Sequence, residues 1–357
     1  MTPSEVQTGV QLADHTTLAV GGPAWGFAEV TEPEQAAALA AWAQGEGRPV
    51  LVLGGGSNLL VADAGFAGLV LRASRVGGAP AFGPDGEVRA GAGVPWDHLV
   101  AEAVARGLAG VEALSGIPGD VGAAPIQNIG AYGQEVAEVL EAVEVVELAT
   151  GATAVLDKPA CGFGYRHSVF KAEARGRYLV TQVRLRLRPG GAPEVRYPEL
   201  ARAVGPAPTV AQVREAVLQI RASKSMVLDP ADPNHRSAGS FFMNPVVPAD
   251  VAAEVAARAA ARGLPSPPRY PAADGQVKLS AAWLIERAGF SKGFGVGRAG
   301  LSTRHCLALV NRGGATAQDI LTLAREVRAG VRAAFGVTLW PEPVFVGFEA
   351  EVAELLE

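Results

Sequence analysis

The sequence predicts an α+β fold made of two or three compact units. At 357 residues the chain is longer than an ordinary domain of about 150 residues. Gly54, Gly55 and Gly56 join two strand-like segments and do not open a helix. Residues 180–187 end in an alternation of apolar and charged side chains, which indicates a strand with one solvated face.

The first elements of the chain combine one helix with short strands. Pro33 at a helix start favours an Ala-rich helix over Glu34–Gln44, and Pro49–Leu53 is predicted as a buried strand. Residues 57–63 lack helical periodicity, and Gly68–Arg72 is predicted as a second strand. The glycines therefore connect strand to strand.

The middle of the chain repeats this mixture, with a second unit beginning near residue 75. The pair Thr209 and Gln212 forms a capping box, after which apolar residues at helical spacing continue to about Arg221. The other predicted elements are a helix at Asp97–Arg106 and strands at Val143–Leu148 and Val180–Leu187.

A third unit is predicted after a linker at Leu228–Asn234 that is rich in Asp and Pro. It begins at Gly239–Pro245 and contains a predicted helix at Ala249–Arg262, followed by a Pro-rich loop at 265–271. Thr316 and Asp319 then open a long last helix, which runs to about Phe335. The predicted domains are 1–74, 75–225 and 226–336, and the tail 337–357 is a candidate to return to the first domain.

Composition excludes several classes of function. Hydrophobic residues make up 49% and charged residues 19% of the chain, as in globular proteins. A net charge of -5 with interspersed Lys and Arg offers no basic face, so we expect no nucleic-acid partner. The two cysteines, Cys161 and Cys306, lack metal-ligand spacing, and we expect no metal site. Without an apolar leader or spanning segment, we expect a cytoplasmic protein that needs no membrane.

The turn Gly54–Asn58 is the first candidate ligand site. Residues without a Cβ let consecutive N–H groups converge on a phosphate, although a plain glycine turn is an equally good interpretation. Leu59 stands where the third glycine of a dinucleotide-binding fingerprint belongs, and no Gly-Lys-Ser/Thr loop occurs. A Rossmann domain and a P-loop NTPase are therefore disfavoured.

The run GIPGDVGAAPIQNIGAYG, Gly116–Gly133, is the most specific segment. Five glycines and two prolines beside Gln127 and Asn128 predict a rigid, close-fitting loop with a few fixed amide hydrogen bonds. Such a loop can hold a flavin and its diphosphate without covalent attachment. The alternative is an elaborate structural turn.

Residues 17–347 resemble the bacterial UDP-N-acetylenolpyruvoylglucosamine reductases, in the form with an extra tyrosine-bearing loop. The resemblance rests on the two glycine segments and on CGFGYRHSVFK (161–171), AGSFFMNP (238–245), DGQVKLSAAWLIERAG (274–289) and LWPEPVFVG (339–347). It implies a two-part FAD-binding domain of the vanillyl-alcohol-oxidase-like type and a smaller α+β substrate-binding domain. Met243, where the family commonly has lysine, and Thr16, where it often has Asn, depart from the pattern.

The resemblance implies noncovalent FAD, NADPH as hydride donor and a small-molecule substrate, UDP-N-acetylglucosamine enolpyruvate. The candidate cofactor-binding residues are Gly54, Gly55, Gly56, Ser57, Asn58, Leu59, Gly116, Pro118, Gly119, Gly122, Gln127, Asn128, Gly130, Ala131 and Tyr132. The candidate substrate-binding residues are Tyr165, Tyr197, Lys224, Asn244, Lys278 and His305. We expect a monomer.

Three residues match the family's catalytic positions. Arg166 would stabilise negative charge on an enolate, Ser240 would donate a proton to it, and Glu342 would help to polarise the substrate. Taken alone, these residues suit a surface ion pair, a turn or cap residue and a solvated loop acid. The implied reduction serves peptidoglycan precursor synthesis. The alternatives are a flavin-dependent oxidase of the same superfamily and a noncatalytic flavin-binding protein.

Overall fold

The computed structural model describes residues 2–357. These residues form two compact units: unit 1 holds residues up to 10, 23–56 and 67–228, and unit 2 holds 11–22, 57–66 and 229–357. The predicted boundary at residue 226 stays a prediction. The predicted subdivision of the first 225 residues at residue 75 stays a prediction.

Most of the strands are short. In chain order they are β1 (Ala24–Glu29), β2 (Val50–Leu53), β3 (Leu59–Val61), β4 (Phe66–Arg72), β5 (Ala81–Phe82), β6 (Glu87–Gly91), β7 (Leu108–Ala109), β8 (Gly130–Ala131), β9 (Gln134–Glu135), β10 (Leu140–Glu147), β11 (Thr153–Asp157), β12 (Tyr178–Arg186), β13 (Arg188–Pro189), β14 (Val246–Val247), β15 (Arg269–Pro271), β16 (Val277–Leu279), β17 (Ala299–Leu301), β18 (Leu309–Asn311) and β19 (Val344–Val346).

The helices lie between these strands. They are α1 (Pro33–Gly45), α2 (Trp96–Ala105), α3 (Pro198–Val204), α4 (Val210–Ser223), α5 (Ala249–Ala261), α6 (Ala281–Arg287), α7 (Ala317–Phe335) and α8 (Val352–Leu355). Short 3-10 turns occur at Leu12–His15, Glu112–Leu114, Val121–Ala123, Val136–Glu138 and Ala273–Gly275. The mixture of helices and strands confirms the α+β prediction. Among residues 2–357, no helix combines the length and apolar character needed to cross a bilayer.

Unit 1 contains a five-stranded antiparallel sheet in the order β11-β10-β12-β6-β5 and a three-stranded sheet in the order β1-β4-β2. The alternation predicted for β12 is confirmed, because Val183 and Leu185 are fully buried. On the opposite face, Arg184 pairs with Glu144 at 2.8 Å between Nε and Oε1. One face of this sheet therefore packs on the core and the other is solvated.

Unit 2 gathers chain segments that are far apart in sequence. β19 pairs with β3 in parallel, placing Val344 beside Leu59 and Val346 beside Val61. The C-terminal tail thus returns to residues 59–61. The core of unit 2 is formed by side chains of α5, α6 and α7 together with Leu18, Val20 and Leu60.

The capping box predicted at Thr209 is present, and the helix start predicted at Thr316 is also a capping box. The Thr209 hydroxyl accepts from the Gln212 amide, and the Thr316 hydroxyl accepts from the Asp319 amide, with the reciprocal bonds also made. One predicted loop is partly wrong, because residues 269–271 of the Pro-rich segment form β15. That strand lies at the edge of the sheet β14-β16-β15, where the missing N–H of a proline is tolerated.

Candidate functional site

The two glycine segments of unit 1 touch each other through their backbones. A Cβ placed on Gly55 would lie 3.0 Å from the Cα of Gly119, and one placed on Gly54 would lie 3.2 Å from Oδ2 of Asp120. Side chains at Gly54 or Gly55 would fill the space between the segments. The absence of Cβ atoms therefore creates the close backbone approach that a diphosphate-binding cradle needs.

The second glycine segment is fixed by the chain that precedes α2. The amide of Trp96 donates to the Gly119 carbonyl at 2.9 Å, and the amide of Gly122 donates to the Ala92 carbonyl at 2.9 Å. A Cβ on Gly122 would lie 2.5 Å from the Cβ of Ala92. Gly122 therefore serves close packing that holds the loop.

Asp97, in the first turn of α2, holds the start of the same loop. Its Oδ1 accepts from the Gly116 amide at 2.6 Å, and its two oxygens accept from the Arg214 guanidinium at 2.6 and 2.8 Å. Burial alone would raise the pKa of Asp97, but the hydrogen bonds from Arg214 and Gly116 outweigh it and lower the pKa. The carboxylate is ionised at neutral pH and anchors Gly116.

Both polar atoms of the Asn128 side chain form hydrogen bonds within the protein. Its Nδ2 donates to Glu135 at 2.7 Å and to the Gly164 carbonyl at 3.0 Å, and its Oδ1 accepts from the Ala137 amide at 3.0 Å. The residue is buried and has a φ of +47°, which asparagine tolerates better than most residues. Asn128 thus fixes the shape of the loop, and its direct contact with a cofactor stays a prediction.

Tyr132 stands at the tip of a two-residue hairpin between β8 and β9. Tyr132 and Gly133 have φ values of +51° and +84°, the pattern of a type I′ turn. The Tyr132 ring meets the Tyr197 ring edge to face at 5.7 Å between centroids. Burial raises the pKa of the Tyr132 hydroxyl to about 12. The structure thus brings together a cofactor candidate and a substrate candidate.

Arg166 occupies a tight turn closed by reciprocal backbone hydrogen bonds between Gly164 and His167. Its φ of +55° costs a residue other than glycine about 1–2 kcal/mol. Its guanidinium donates to the Gly130 carbonyl at 2.5 Å and to the Asn128 carbonyl at 3.4 Å. The predicted catalytic arginine is therefore tied directly to the predicted flavin loop.

Charged side chains lie near the end of α4 in unit 1. The Lys224 ammonium pairs with Glu199 at 2.5 Å. Arg221 is partly buried, and desolvation lowers the pKa of its guanidinium. Its Nε atom is buried and has no hydrogen-bond partner. One nitrogen of its guanidinium, Nη2, donates to the Met226 carbonyl at 2.6 Å. Arg221 was not among the predicted site residues, although its position in the last turn of an amphipathic helix is visible in the sequence.

In unit 2 backbone hydrogen bonds join three segments that carry site candidates. The Glu342 amide donates to the Phe241 carbonyl at 2.8 Å, next to Ser240. Asn58 Nδ2 donates to the Glu342 carbonyl at 3.3 Å, and the Val344 amide donates to the Asn58 carbonyl at 2.9 Å. The structure therefore brings the segments of Ser240, Glu342 and Asn58 together.

The segment after Ser240 also reaches the loop of His305. The Phe241 amide donates to the Leu307 carbonyl at 2.7 Å, while the His305 carbonyl accepts from the Ala308 amide at 3.1 Å. Gly239, with a φ of +71°, sets the turn that precedes Ser240. Ser240 is partly exposed.

Asn244 and Lys278 lie around the first turn of α6. The Asn244 side-chain oxygen accepts from the Ala281 amide at 2.9 Å and so caps the helix. Lys278 lies in β16, between Val246 of β14 and Tyr270 of β15. Met243, which departs from the family pattern, donates its amide to the Trp340 carbonyl at 2.9 Å.

Among the residues that the structure describes, no group of three or more His, Cys, Asp or Glu could hold a metal ion. The site candidates are divided between the units. Unit 1 carries Arg166, Tyr165, Tyr197, Lys224 and the glycine segments up to Gly56 and over 116–132. Unit 2 carries Ser57, Asn58, Leu59, Ser240, Asn244, Lys278, His305 and Glu342.

Comparisons with known proteins match both parts of the chain. Residues 25–157 match the family model of the FAD binding domain. Residues 230–346 match the model of the UDP-N-acetylenolpyruvoylglucosamine reductase C-terminal domain. The reductase of Thermobifida fusca is 52% identical over 347 residues, which are 95% of this chain and 97% of that relative.

The chain belongs to the UDP-N-acetylenolpyruvoylglucosamine reductase family.

Other members of the family are similar to this chain along nearly its whole length. The reductase of Nocardia farcinica is 52% identical over 354 residues, covering 97% of this chain and 91% of that protein. The crystal structure of the Thermus caldophilus reductase superposes with a TM-score of 0.63 at 30% identity, covering 96% of this chain and 99% of that one. As a family member with an FAD-binding domain, the protein is an FAD-dependent oxidoreductase.

The residues of this reductase fit an FAD cofactor. The cradle at Gly54 and Gly55 would be filled by any Cβ, and the buried Oδ2 of Asp120 beside it has no hydrogen-bond partner. Asp120 was not predicted as a site residue. It lies inside the GIPGDVG segment, so its position was visible in the sequence, but its burial was not.

Proposed function

We propose that this protein reduces UDP-N-acetylglucosamine enolpyruvate to UDP-N-acetylmuramate, with NADPH as the source of reducing equivalents and FAD as the carrier. The proposal rests on membership of the reductase family along nearly the whole chain. All three predicted catalytic residue types, Arg166, Ser240 and Glu342, are present.

The observation that carries the proposal is the backbone hydrogen bond from Glu342 to Phe241. It joins the segment of the proposed proton donor, Ser240, to that of the proposed carboxylate. Asn58, which follows the first glycine turn, is bonded to the same segment. A carboxylate and a hydroxyl positioned by one hydrogen-bonded framework suit acid–base work on one substrate.

The FAD, when bound, supplies hydride transfer. Hydride arriving at C3 of the enolpyruvyl group pushes the double-bond electrons toward C2 and the carboxylate of the substrate. We propose that Arg166 stabilises this negative charge, since a guanidinium cannot lose its proton. Ser240 then transfers the proton of its Oγ to C2, which completes the saturated lactyl ether. Glu342 acts with Arg166 to polarise the substrate.

For substrate binding we propose Tyr165, Tyr197, Lys224, Asn244, Lys278 and His305. The Lys224 ammonium can pair with the diphosphate of the substrate, and in this structure it pairs with Glu199. We also propose that the protein acts as a cytoplasmic monomer in peptidoglycan precursor synthesis, and so contributes to cell shape and division.

An anaerobic experiment tests the proposal. The purified holoprotein is mixed with NADPH, and the visible absorbance of the flavin should bleach as the flavin is reduced. The enolpyruvyl sugar nucleotide should then restore the colour. If only oxygen restores it, the protein is an oxidase and the proposal is wrong.

A further inference from the structure

Asp120 lies where the two glycine segments of unit 1 meet. Its Oδ2 is 3.2 Å from the position that a Cβ on Gly54 would take, and the neighbouring Gly119 touches Gly55. The backbone of Asp120 is fixed by a bridge to Pro95. The carboxyl group is therefore held against the glycine turn.

The Oδ2 atom of Asp120 is buried and makes no hydrogen bond. A buried polar atom without a partner destabilises a protein, so its presence beside a ligand cradle needs an explanation. Burial raises the pKa of the carboxyl to about 6, and the positive charge of Arg72 opposes this rise. Among the described residues, Arg72, at the end of β4, is the charged group whose field reaches Asp120.

The nature of the glycine turn decides what this carboxyl can bind. A turn of glycine N–H groups suits phosphate oxygens, which carry negative charge and only accept hydrogen bonds. An ionised carboxylate in that position would repel the phosphate. A protonated carboxyl, in contrast, can donate one hydrogen bond to it.

We propose that Asp120 is a further cofactor-binding residue, which takes up a proton when FAD binds and donates it in a hydrogen bond from Oδ2 to an oxygen of the FAD diphosphate. The inference rests on FAD as the cofactor, but it does not depend on the identity of the substrate. It makes the affinity for FAD depend on pH.

The sign of this dependence follows from linkage. If the bound state holds the proton more tightly than the free state, affinity is constant below the free pKa of about 6. Above it, affinity falls by up to about tenfold for each pH unit, until the pKa of the bound state is reached. FAD is thus held more tightly in mild acid than in mild alkali.

The test uses the full-length holoprotein, diluted at a series of pH values from about 5.5 to 8.5 that spans this pKa. Fluorescence of released FAD gives the dissociation constant. Asp120→Asn keeps the shape of the side chain and a hydrogen-bond donor but cannot ionise, so the affinity of this variant for FAD should be independent of pH. It should equal the wild type near pH 5.5 and exceed it several-fold above about pH 8.

Asp85→Asn is the matched control, because Asp85 is an exposed carboxylate of the same unit that pairs with Arg186. It should leave the wild-type profile unchanged. The proposal is wrong if wild-type affinity is independent of pH. It is also wrong if Asp120→Asn binds FAD more weakly than the wild type in alkali, because the ionised form would then be the binding form.

Two further measurements keep the inference testable if the variant does not fold. Calorimetry of FAD binding to the wild-type chain in buffers of different ionisation enthalpy should show proton uptake near pH 7.5, at about one proton or less, and no uptake would overturn the proposal. The phosphorus resonances of bound FAD should shift with pH in the same range, and resonances that stay constant would exclude the diphosphate. Failure of the anaerobic substrate test would leave these results unaffected.

Discussion

Arg166 in unit 1 and Glu342 in unit 2 are both proposed to act on the substrate, but they are held in different ways. Arg166 sits at a φ of +55° and is held by its own guanidinium, which donates to the carbonyls of Gly130 and Asn128. The backbone of Glu342 is also bonded, since its amide donates to the Phe241 carbonyl and its carbonyl accepts from Nδ2 of Asn58. The contacts named for Arg166 are made by its side chain, and those named for Glu342 are made by its main chain.

This difference predicts how a site responds to substitution. Where the main chain fixes the position, a side chain can be exchanged with little movement, and the loss measures the chemistry of the removed group. Where the side chain fixes the position, exchange removes chemistry and local structure together. Substitutions at sites held in these two ways should therefore separate catalysis from stability to different degrees.

The largest effect is expected for Ser240→Ala in unit 2. The half-reaction with the enolpyruvyl substrate should slow by about 10²–10⁴-fold, because it alone needs the proton, while NADPH still bleaches the flavin. Stopped-flow absorbance separates the two half-reactions. Ser280→Ala, which removes only the cap of α6, is the control and should change neither half-reaction. Equal loss of both half-reactions in Ser240→Ala would reject the assigned role.

Arg166→Lys should have a smaller effect on rate but a broader one. Lysine keeps the charge and loses the planar fork that reaches two carbonyls, so the substrate half-reaction should fall by about tenfold. The free energy of unfolding should fall as well, by about 1 kcal/mol. Urea unfolding and stopped-flow kinetics measure the two losses. A rate loss without any loss of stability would contradict the anchoring of Arg166 by its side chain.

Two asparagines sharpen the comparison without touching the proposed chemistry of proton transfer. Asn128→Ala removes three hydrogen bonds in unit 1 and should cost about 2–4 kcal/mol of stability. Asn244→Ala removes one bond to the start of α6 in unit 2 and should cost about 1 kcal/mol. Denaturant unfolding of both variants gives the ratio. Equal costs would show that the two loops are anchored alike.

The smallest effects concern ion pairs. The native state lowers the pKa of Asp97, so the unfolded chain binds the proton more tightly and acid favours unfolding. The stabilisation is present above the unfolded pKa of about 4 and is lost as pH falls through the lower native pKa. Asp97→Asn should lower stability at pH 7 and flatten the acid limb of the stability profile.

Glu254→Gln, in an exposed pair with Arg258 on α5, should change stability by less than about 0.5 kcal/mol.

The sequence determined the parts of this protein that depend on neighbouring residues. Two helices are predicted because Thr209 with Gln212 and Thr316 with Asp319 open them locally. Strand β12 is predicted because the alternation over residues 183–187 indicates one buried face. The glycine segments and the residues that match the reductase family were likewise visible along the chain. Each of these features is recognised from residues that lie close together in the sequence.

Tertiary structure alone decided the rest. β3 and β19 have three residues each, too few for a periodic pattern, and their pairing joins Leu59 to Val344 across most of the chain. The Asn128 side chain bonds a group that is distant in sequence, the Gly164 carbonyl. The burial of Asp120 without a partner for Oδ2 also depends on groups distant in sequence. Burial and hydrogen-bond satisfaction are properties of the packed chain, and no local pattern encodes them.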